Sequence, residues 1–226
     1  MKRENSLQVA VITGEHSFDL PNFYHLFREL DGIDAYVQHL EHFGSSSQAV
    51  RDSYDAAVFF NFHQEAPVDT DQPWFVGKPH SALLRLTARG QGIVLLHHGL
   101  LAFPQWEVWH TLTGITDRSF GYQPGLLLPV EVTDPHHFIT QGLQDWEMID
   151  EAYKMADTDE QSHILLSVTH EKSMRHIAWT RQVEQSRVFC FASGHDQRAW
   201  DNPNFREVLR RGIVWSTQGN ENYAKK

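Results

Sequence analysis

The stretch Gly92-Ile93-Val94-Leu95-Leu96-His97-His98-Gly99 joins a short apolar run to two adjacent imidazoles. Four apolar residues in a row, flanked by glycine, are typical of a strand buried on both faces of a parallel sheet. The chain must turn where that strand ends, and open α/β sheets bind ligands at the carboxyl ends of their strands. We therefore expect His97 and His98 to lie at the functional edge of a sheet.

Strand-like and helix-like segments alternate around this stretch, between residues 7 and 113. Such alternation predicts βαβ units and a parallel sheet. The predicted strands cover residues 7–13, 34–40, 56–60 and 92–96, and the predicted helices begin near Pro21, Pro79 and Pro104. Residues 44–47 and the longer segment 64–78, which carries Trp74, are predicted to be loops.

The second half of the chain has a different pattern, with strand-like runs and few helical residues between them. This pattern predicts hairpins or an antiparallel extension of the sheet. The predicted strands cover residues 126–132, 146–153, 163–169, 176–180 and 188–192. A last helix is predicted to begin at Pro203. We expect a single α/β domain over residues 1–226, with 219–226 as a frayed tail.

Composition excludes several classes of protein. The 226 residues carry a formal charge of −10, whereas nucleic-acid binders need a basic patch, so we expect no nucleic-acid partner. The apolar runs are about as long as strands, far below the roughly 20 residues that span a bilayer, so we expect a cytoplasmic protein without a membrane segment. The single cysteine, Cys190, lies in a strand-like run and is interpreted as a buried apolar residue.

Histidines recur at the predicted strand ends of the first half. His16 follows the first strand, His63 the third, and His97 and His98 the fourth. Because the carboxyl ends of parallel strands share one edge, these side chains are expected to converge in one cleft. The alternative is that each is an ordinary loop residue with local hydrogen bonds.

The second half offers further polar groups near strand ends. In the predicted strand 146–153, the two-residue period places Glu151 and Tyr153 on one face and Asp150 on the other. Two carboxyl groups in different environments suit acid–base work, although a solvated edge strand explains them equally well. The strand that ends near residue 192 releases His195 and Asp196.

Several catalytic motifs are absent from the sequence. No His-Glu-x-x-His occurs, which argues against a zincin, and no Gly-x-Ser-x-Gly occurs, which argues against an ordinary α/β-hydrolase. Histidines together with a carboxylate can still hold zinc or another divalent ion, because neutral imidazole is a good ligand for such metals.

In their order along the chain, several short motifs resemble those of the ThuA-like trehalose-utilisation family. The matching segments are Thr13-Gly14 with His16, residues 90–97, 137–143 and 150–153, Trp179, and residues 187–189, 193–195 and 213–215. The resemblance covers nearly the whole chain. The sequence departs from the family pattern at Phe138, where a proline is usual, and at His98, where a small residue is usual.

The resemblance implies a three-layer, flavodoxin-like fold related to class I glutamine amidotransferases, with a mostly parallel sheet and antiparallel additions in the second half. In those enzymes a cysteine occupies the turn that here holds His97 and His98. Cys190 lies elsewhere, so the resemblance argues against glutamine hydrolysis. It implies a role in sugar metabolism instead.

The leading hypothesis is an enzyme that acts on a disaccharide or a keto-sugar. His97 and Glu151 are the expected proton-transfer residues, and the expected substrate-binding residues are His16, His63, His98, Tyr153, His195 and Asp196. Trp74, Trp106 and Trp109 could stack on a sugar ring, although packing in the core or at an interface explains them at least as well.

Two alternatives stay open. One is a metal-dependent hydrolase in which His16, His97 and His195 bind a divalent ion such as zinc or manganese. The other is a non-catalytic carbohydrate-binding or assembly module. The expected partner is a small sugar, with a homo-oligomer as a further open possibility.

Overall fold

The computed structural model describes residues 6–72 and 75–217, with the side chains of all of these except 71, 72, 75 and 76. The predicted frayed tail at 219–226 and the expected sugar-stacking residue Trp74 lie outside the described residues. Within the described ranges, no helix is long and apolar enough to cross a bilayer.

The elements of the described chain follow the predicted order with several additions. The strands are β1 (Leu7–Gly14), β2 (Ile33–His39), β3 (Ala56–Asn61), β4 (Thr70–Gln72), β5 (Phe75–Gly77), β6 (Gly92–Leu96), β7 (Gly121–Val132), β8 (Trp146–Lys154), β9 (His163–Val168), β10 (His176–Val183) and β11 (Ser186–Phe191). The helices are α1 (Leu20–Arg28), α2 (Leu40–Ser45), α3 (Gln48–Arg51), α4 (Pro79–Arg89), α5 (Glu107–Thr113), α6 (Gln197–Trp200) and α7 (Pro203–Thr217). A 3₁₀ helix, His97–Leu101, follows β6 directly.

Nine strands form one mixed sheet in the order β2-β1-β3-β6-β11-β10-β9-β7-β8. The first five strands of that order pair in parallel, so β1, β3, β6 and β11 all end at the same edge. The other pairings are antiparallel. The α/β class and the change from parallel to antiparallel pairing are confirmed. The parallel and antiparallel parts contribute four strand pairings each, so the antiparallel additions are as extensive as the parallel part.

The helices contact the sheet in two groups. Helix α7 packs on β11, β6 and β3 and contacts α6, which in turn contacts α1. Helix α2 packs on β1 and contacts α4. In α1, Phe23, Leu26 and Phe27 are buried, as their spacing along one helical face predicts.

Two loop predictions are wrong. Gly44 and Ser45 belong to α2, whose first turn is capped by the side chain of His39 rather than by a conventional serine or aspartate. The segment 64–78 contains the hairpin of β4 and β5. This short pair has no recognisable turn dipeptide and little apolar alternation, so sequence periodicity does not reveal it.

The β7–β8 hairpin extends well beyond the rest of the sheet. Strand β9 pairs with only Val130–Val132 of β7, whereas β8 accompanies β7 back to Gly121. The register shifts between Gln123 and Leu126, around Pro124 and Gly125. A bulge of this kind bends the strand that contains it and increases the local twist. The end of the hairpin with Glu151 and Tyr153 thereby reaches the edge where the parallel strands end.

Cys190 lies at the centre of the sheet. It belongs to β11, pairs in register with Leu95 of β6, and has no exposed surface. Its Sγ atom lies 3.6 Å from the Leu112 carbonyl oxygen. Burial raises the pKa of its thiol far above the usual range, so Cys190 is a packing residue rather than a nucleophile.

We expect Cys190→Ala to lower the free energy of unfolding by about 1–2 kcal/mol, because it removes one buried sulfur from a close-packed layer. Urea unfolding followed by tryptophan fluorescence measures this change. The native thiol should also resist a water-soluble disulfide reagent until the protein unfolds. Rapid labelling of folded protein would contradict a purely structural role.

Candidate functional site

The site begins at the turn that follows β6. His97 has φ +49°, an uncommon conformation for a residue with a side chain, and opens the 3₁₀ helix His97–Leu101. The turn passes very close to β3, because a Cβ atom on Gly99 would lie 2.2 Å from the carbonyl oxygen of Phe59. The Gly99 carbonyl accepts a hydrogen bond of 2.8 Å from the Trp109 indole. Glycine at position 99 therefore permits the tight turn that presents the two histidines.

Arg118 holds the segment that follows the turn. Its guanidinium is buried and donates hydrogen bonds to the carbonyl oxygens of Leu100, Ala102 and Phe103 at 3.2, 3.0 and 2.7 Å. Burial lowers the pKa of Arg118 to about 10, so the side chain is still charged at neutral pH. A buried cation that binds three carbonyl groups within four residues fixes the backbone behind His97.

The hydrogen bonds of His97 define its tautomer. Its Nδ1 atom lies 2.8 Å from the carbonyl oxygen of Ala192, at the end of the neighbouring strand β11. A carbonyl only accepts, so Nδ1 carries a proton, and in the neutral imidazole Nε2 then has a free lone pair. The Tyr153 hydroxyl lies 2.7 Å from this Nε2 atom and donates to it. His97 is thus held with its basic nitrogen toward β8.

Glu151 and His195 complete a compact group around His97 Nε2. The Oε1 atom of Glu151 lies 3.5 Å from His97 Nε2 and 3.4 Å from His195 Nδ1, and the two imidazole nitrogens are 3.2 Å apart. Burial acts to raise the pKa of Glu151, but the contacts with His97 and His195 outweigh it and lower the pKa below its usual value. Glu151 is therefore ionised at neutral pH beside two imidazoles.

Tyr153 lies over the His97 ring as well as bonding to it. The two rings stack with centroids 4.7 Å apart. Burial, followed by the nearby charges of Glu151 and Asp150, raises the pKa of Tyr153 well above its usual value. The hydroxyl accordingly keeps its proton and acts as a donor toward Nε2.

Asp150 points away from this group, as the two-residue period predicts, and its role is not evident from the sequence. The carboxylate is fully buried and accepts hydrogen bonds from the backbone amides of Glu151, Gly194 and His195 at 2.8, 2.7 and 3.0 Å. Burial raises its pKa, and the nearby His97 ring and these amide donors oppose that rise. Asp150 joins the loop that carries His195 to the strand that carries Glu151.

A cleft of about 520 Å³ opens in front of these residues. Glu151, Tyr153 and His195 contribute to its wall, whereas His97 lies behind them without exposed surface. The rest of the wall is mainly apolar or aromatic and includes His16, Ser17, Phe62, His98, Leu101, Phe120, Tyr122 and Pro124. This combination of apolar walls and a few convergent polar groups is typical of small-molecule sites.

His16 and His98 form a neutral pair within the cleft. Their ring centroids are 4.3 Å apart. Burial, followed by the neighbouring imidazoles, lowers the pKa of both residues, that of His98 to about 2. The Nδ1 atom of each is buried and has no hydrogen-bond partner among the described residues. Two such nitrogens are suited to bind a polar group of a ligand.

Two of the expected substrate-binding residues lie outside this cleft. His63 lies behind Phe62 in a neighbouring cleft with Glu15, Gln64 and Glu65. Asp196 caps α6 through the Arg198 amide and pairs with the Arg198 guanidinium. A position after a strand end places both residues near the correct edge, but the direction of each side chain depends on loop geometry that spacing does not encode.

Trp106 and Trp109, two of the tryptophans considered for sugar stacking, have packing roles. Trp109 is buried and meets Phe59 edge to face, and Trp106 stacks on Trp109 at 6.0 Å. Neither residue forms part of the cleft wall around His195. The expected sugar-stacking role therefore does not fit either of them.

Two groups of side chains bring potential metal ligands together in the described part of the chain. One consists of His97, Glu151 and His195, and the other of Glu15, His39 and His63, with ligand atoms within 4.8 Å of one another in each group. His16, expected among the ligands, is in neither group. It packs instead on His98 and meets His195 edge to face at 6.0 Å.

Residues 23–216 match the ThuA family, described as trehalose utilisation. The chain belongs to the ThuA family. That membership confirms the resemblance seen in the sequence motifs and assigns the chain to a family associated with sugar metabolism. A search of curated protein sequences gives no match.

Several solved structures share the fold of this chain. A ThuA-like protein from Parabacteroides merdae superposes with a TM-score of 0.74 at 16% identity, covering 95% of this chain and 91% of the other. A cytoplasmic protein from Salmonella typhimurium gives 0.60 at 12% identity, with 92% and 98% covered. A glutamine amidotransferase from Thermotoga maritima gives 0.50 at 10% identity, with 93% and 98% covered. At these identities the likeness concerns the fold.

Replacement of Asp150 tests its proposed link between the His195 loop and β8. Asp150→Asn puts an amide donor against a group of backbone donors, so we expect it to lower the free energy of unfolding by about 1–3 kcal/mol. Asp196→Asn is the matched control, because asparagine caps a helix as well as aspartate does. Urea unfolding of both variants gives the comparison. Equal stability of the two variants would show that Asp150 does not hold the loop.

Proposed function

We propose that this ThuA-family protein is a cytoplasmic enzyme that acts on a disaccharide or keto-sugar by acid–base catalysis, with Glu151 and His97 as the proton-transfer pair. The observation that carries the proposal is the oriented group of Glu151, His195 and Tyr153 around His97 Nε2, at the wall of a cleft large enough for a sugar. The family's description as trehalose utilisation supports a sugar as the substrate.

Glu151 is the member of the pair that meets the substrate. Its carboxylate faces the cleft and is ionised, so it can accept a proton from a sugar hydroxyl or from a carbon next to a ketone. His97 lies behind it, with Nε2 3.5 Å from Glu151 Oε1 and 2.7 Å from the Tyr153 hydroxyl. After Glu151 takes a proton from the substrate, His97 Nε2 can accept that proton from the carboxyl group, and the resulting imidazolium stabilises the Glu151 carboxylate.

The remaining cleft residues suit a polar, uncharged ligand. His16 and His98 are neutral and offer buried Nδ1 atoms that lack partners in the described chain, while Phe62, Phe120 and Tyr122 give apolar surface. Sugars combine hydroxyl groups with apolar ring faces, so they match both kinds of wall.

Thiol chemistry of the amidotransferase type has no support in this chain. The turn after β6 holds His97 and His98, and the only cysteine is buried in β11.

Two further inferences accompany the proposal. The two groups of helices cover opposite faces of the sheet in a three-layer, flavodoxin-like arrangement. The Salmonella neighbour described as cytoplasmic supports the proposed location.

Proton transfer can be followed with trehalose and its keto derivatives in deuterium oxide. Proton NMR and mass spectrometry would then report solvent deuterium at carbons next to a ketone, or a changed sugar. We expect Glu151→Gln to lower the rate by roughly 100-fold or more, because it removes the proton acceptor and preserves shape. His163→Asn, an exposed replacement far from the cleft, is the control and should be fully active.

The same experiment separates the alternatives. Full activity of Glu151→Gln would remove Glu151 from proton transfer. Sugar binding by the natural protein without exchange or turnover would favour a non-catalytic binding module.

A second candidate, a divalent-metal-dependent hydrolase, is favoured by one observation. The donor atoms of His97, Glu151 and His195 lie within 4.8 Å of one another, and His97 donates its other ring proton to the Ala192 carbonyl. Metal-binding histidines characteristically have such a backbone partner. These residues would hold a zinc or manganese ion, which would supply Lewis-acid chemistry when bound.

If this second candidate is correct, zinc or manganese should raise the melting temperature of chelator-treated protein, because an ion that binds only the native state stabilises it. His195→Asn should abolish the part of the shift that depends on this site. His163→Asn should not change it. Sugar turnover by thoroughly metal-stripped protein would eliminate the metal-dependent mechanism.

A further inference from the structure

A second group of ligands lies at the other end of the parallel edge. Glu15 follows β1, His39 ends β2, and His63 follows β3, so three adjacent strands each contribute one side chain. In the sheet, β2 lies on one side of β1, whereas β3 and then β6 lie on its other side. Ligand sites of open α/β sheets occur at such a point, where the strand order reverses.

The two imidazole rings converge over Gly14. A Cβ atom at Gly14 would lie 2.6 Å from His39 Nε2 and 2.5 Å from His63 Cε1. Gly14 itself has φ +143°, and Glu15 has φ +58°, a conformation rarely taken by residues with side chains. The backbone thus leaves open the space in which the donor atoms of Glu15, His39 and His63 come within 4.8 Å of one another.

Outer contacts orient both rings by their Nδ1 atoms. His63 Nδ1 lies 3.1 Å from the side-chain nitrogen of Asn61, whose buried Oδ1 has no hydrogen-bond partner among the described residues. A 180° rotation of this amide lets Oδ1 accept a hydrogen bond from His63 Nδ1–H, which leaves the Nε2 lone pair free. The ring also stacks on Phe103, at 5.8 Å. These contacts fix the ring in place for a metal.

His39 has a comparable outer partner. Its Nδ1 atom accepts a long hydrogen bond of 3.3 Å from the Glu41 amide and lies 3.9 Å from the Glu41 carboxylate. When Nε2 binds a cation, Nδ1 carries the proton and no longer accepts from the Glu41 amide, and a small movement of the ring toward the Glu41 carboxylate, 3.9 Å away, lets Nδ1 donate a hydrogen bond there. A carboxylate behind a metal-bound imidazole is a common arrangement that raises the basicity of the ligand.

We propose that Glu15, His39 and His63 form a binding site for a first-row divalent metal ion such as Zn²⁺. Two imidazoles and one carboxylate are a ligand set found in open zinc sites, which keep a position for water or another ligand. Here a cleft of about 510 Å³, lined by Glu15, Phe62, His63, Gln64 and Glu65, adjoins the group. The acidic groups around it favour a cation.

This site is independent of the proposed sugar chemistry. Phe62 contributes to the walls of both clefts, and the two groups of ligands share no residue. Metal binding by Glu15, His39 and His63 therefore does not depend on catalysis by Glu151. A metal bound at His97 would be a separate binding event.

Calorimetric titration of Zn²⁺ into tag-free, chelator-treated protein tests the proposal. His39→Asn keeps a cap for α2 but removes the imidazole ligand, and Glu15→Gln removes the carboxylate at an exposed position. We expect each to weaken one Zn²⁺-binding event by at least about tenfold. His42→Asn, which removes a neighbouring imidazole outside the group, should leave that event unchanged, as should His195→Asn.

Anomalous diffraction from crystals soaked in Zn²⁺ locates the ion directly. We expect a peak at roughly 2.0–2.1 Å from nitrogens of both His39 and His63. Zinc found only near His97, Zn²⁺ affinities unchanged in both Glu15→Gln and His39→Asn, or no binding to the natural protein would each overturn the proposal.

Discussion

The hydrogen bond between His97 Nδ1 and the Ala192 carbonyl is the interaction on which the site depends. It joins the ends of β6 and β11, which are paired neighbours at the centre of the sheet. Because Nδ1 carries the ring proton, the lone pair of Nε2 faces Tyr153, Glu151 and His195. A reversed ring or the other tautomer would put a proton where the Tyr153 hydroxyl now finds an acceptor.

The surrounding structure is built to keep His97 in its uncommon backbone conformation. The Trp109 indole and the Arg118 guanidinium bind carbonyl groups along residues 99–103, and Gly99 lets the turn lie against β3. Positive φ at a side-chain-bearing residue costs of order 1–3 kcal/mol and persists only where neighbouring contacts over-determine it. Here those contacts surround the residue that orients the site.

The sequence was sufficient to predict most of the parallel half and its histidines. An apolar run followed by a turn is a local pattern, and parallel pairing then brings His16 and His97 to one edge. Residues 188–192 were predicted in the antiparallel part, but β11 pairs in parallel with β6 and carries His195 to the same edge. The motif order also predicted the ThuA family, which is confirmed.

Other features depend on contacts between distant residues. Glu151 reaches His97 because the β7–β8 hairpin extends past β9 and bends at a bulge, and Asp150 then binds the amides of the His195 loop. Neither the bend of the hairpin nor the hydrogen bonds of Asp150 can be recognised from neighbouring residues in the sequence. His63 and Asp196 show the same limit, since their strand-end positions were predicted and their directions were not. His39 closes a second group only because β2 lies beside β1.

The central claim, that the protein holds His97 as the Nδ1-protonated tautomer, can be tested without a substrate. Nitrogen-15 NMR of histidine-labelled protein near pH 8 distinguishes protonated from unprotonated ring nitrogens, and His97→Asn identifies the signals of this residue. The account predicts a protonated Nδ1 and an unprotonated Nε2 that is shifted by the Tyr153 hydroxyl. A His97 ring protonated at Nε2 alone would contradict it.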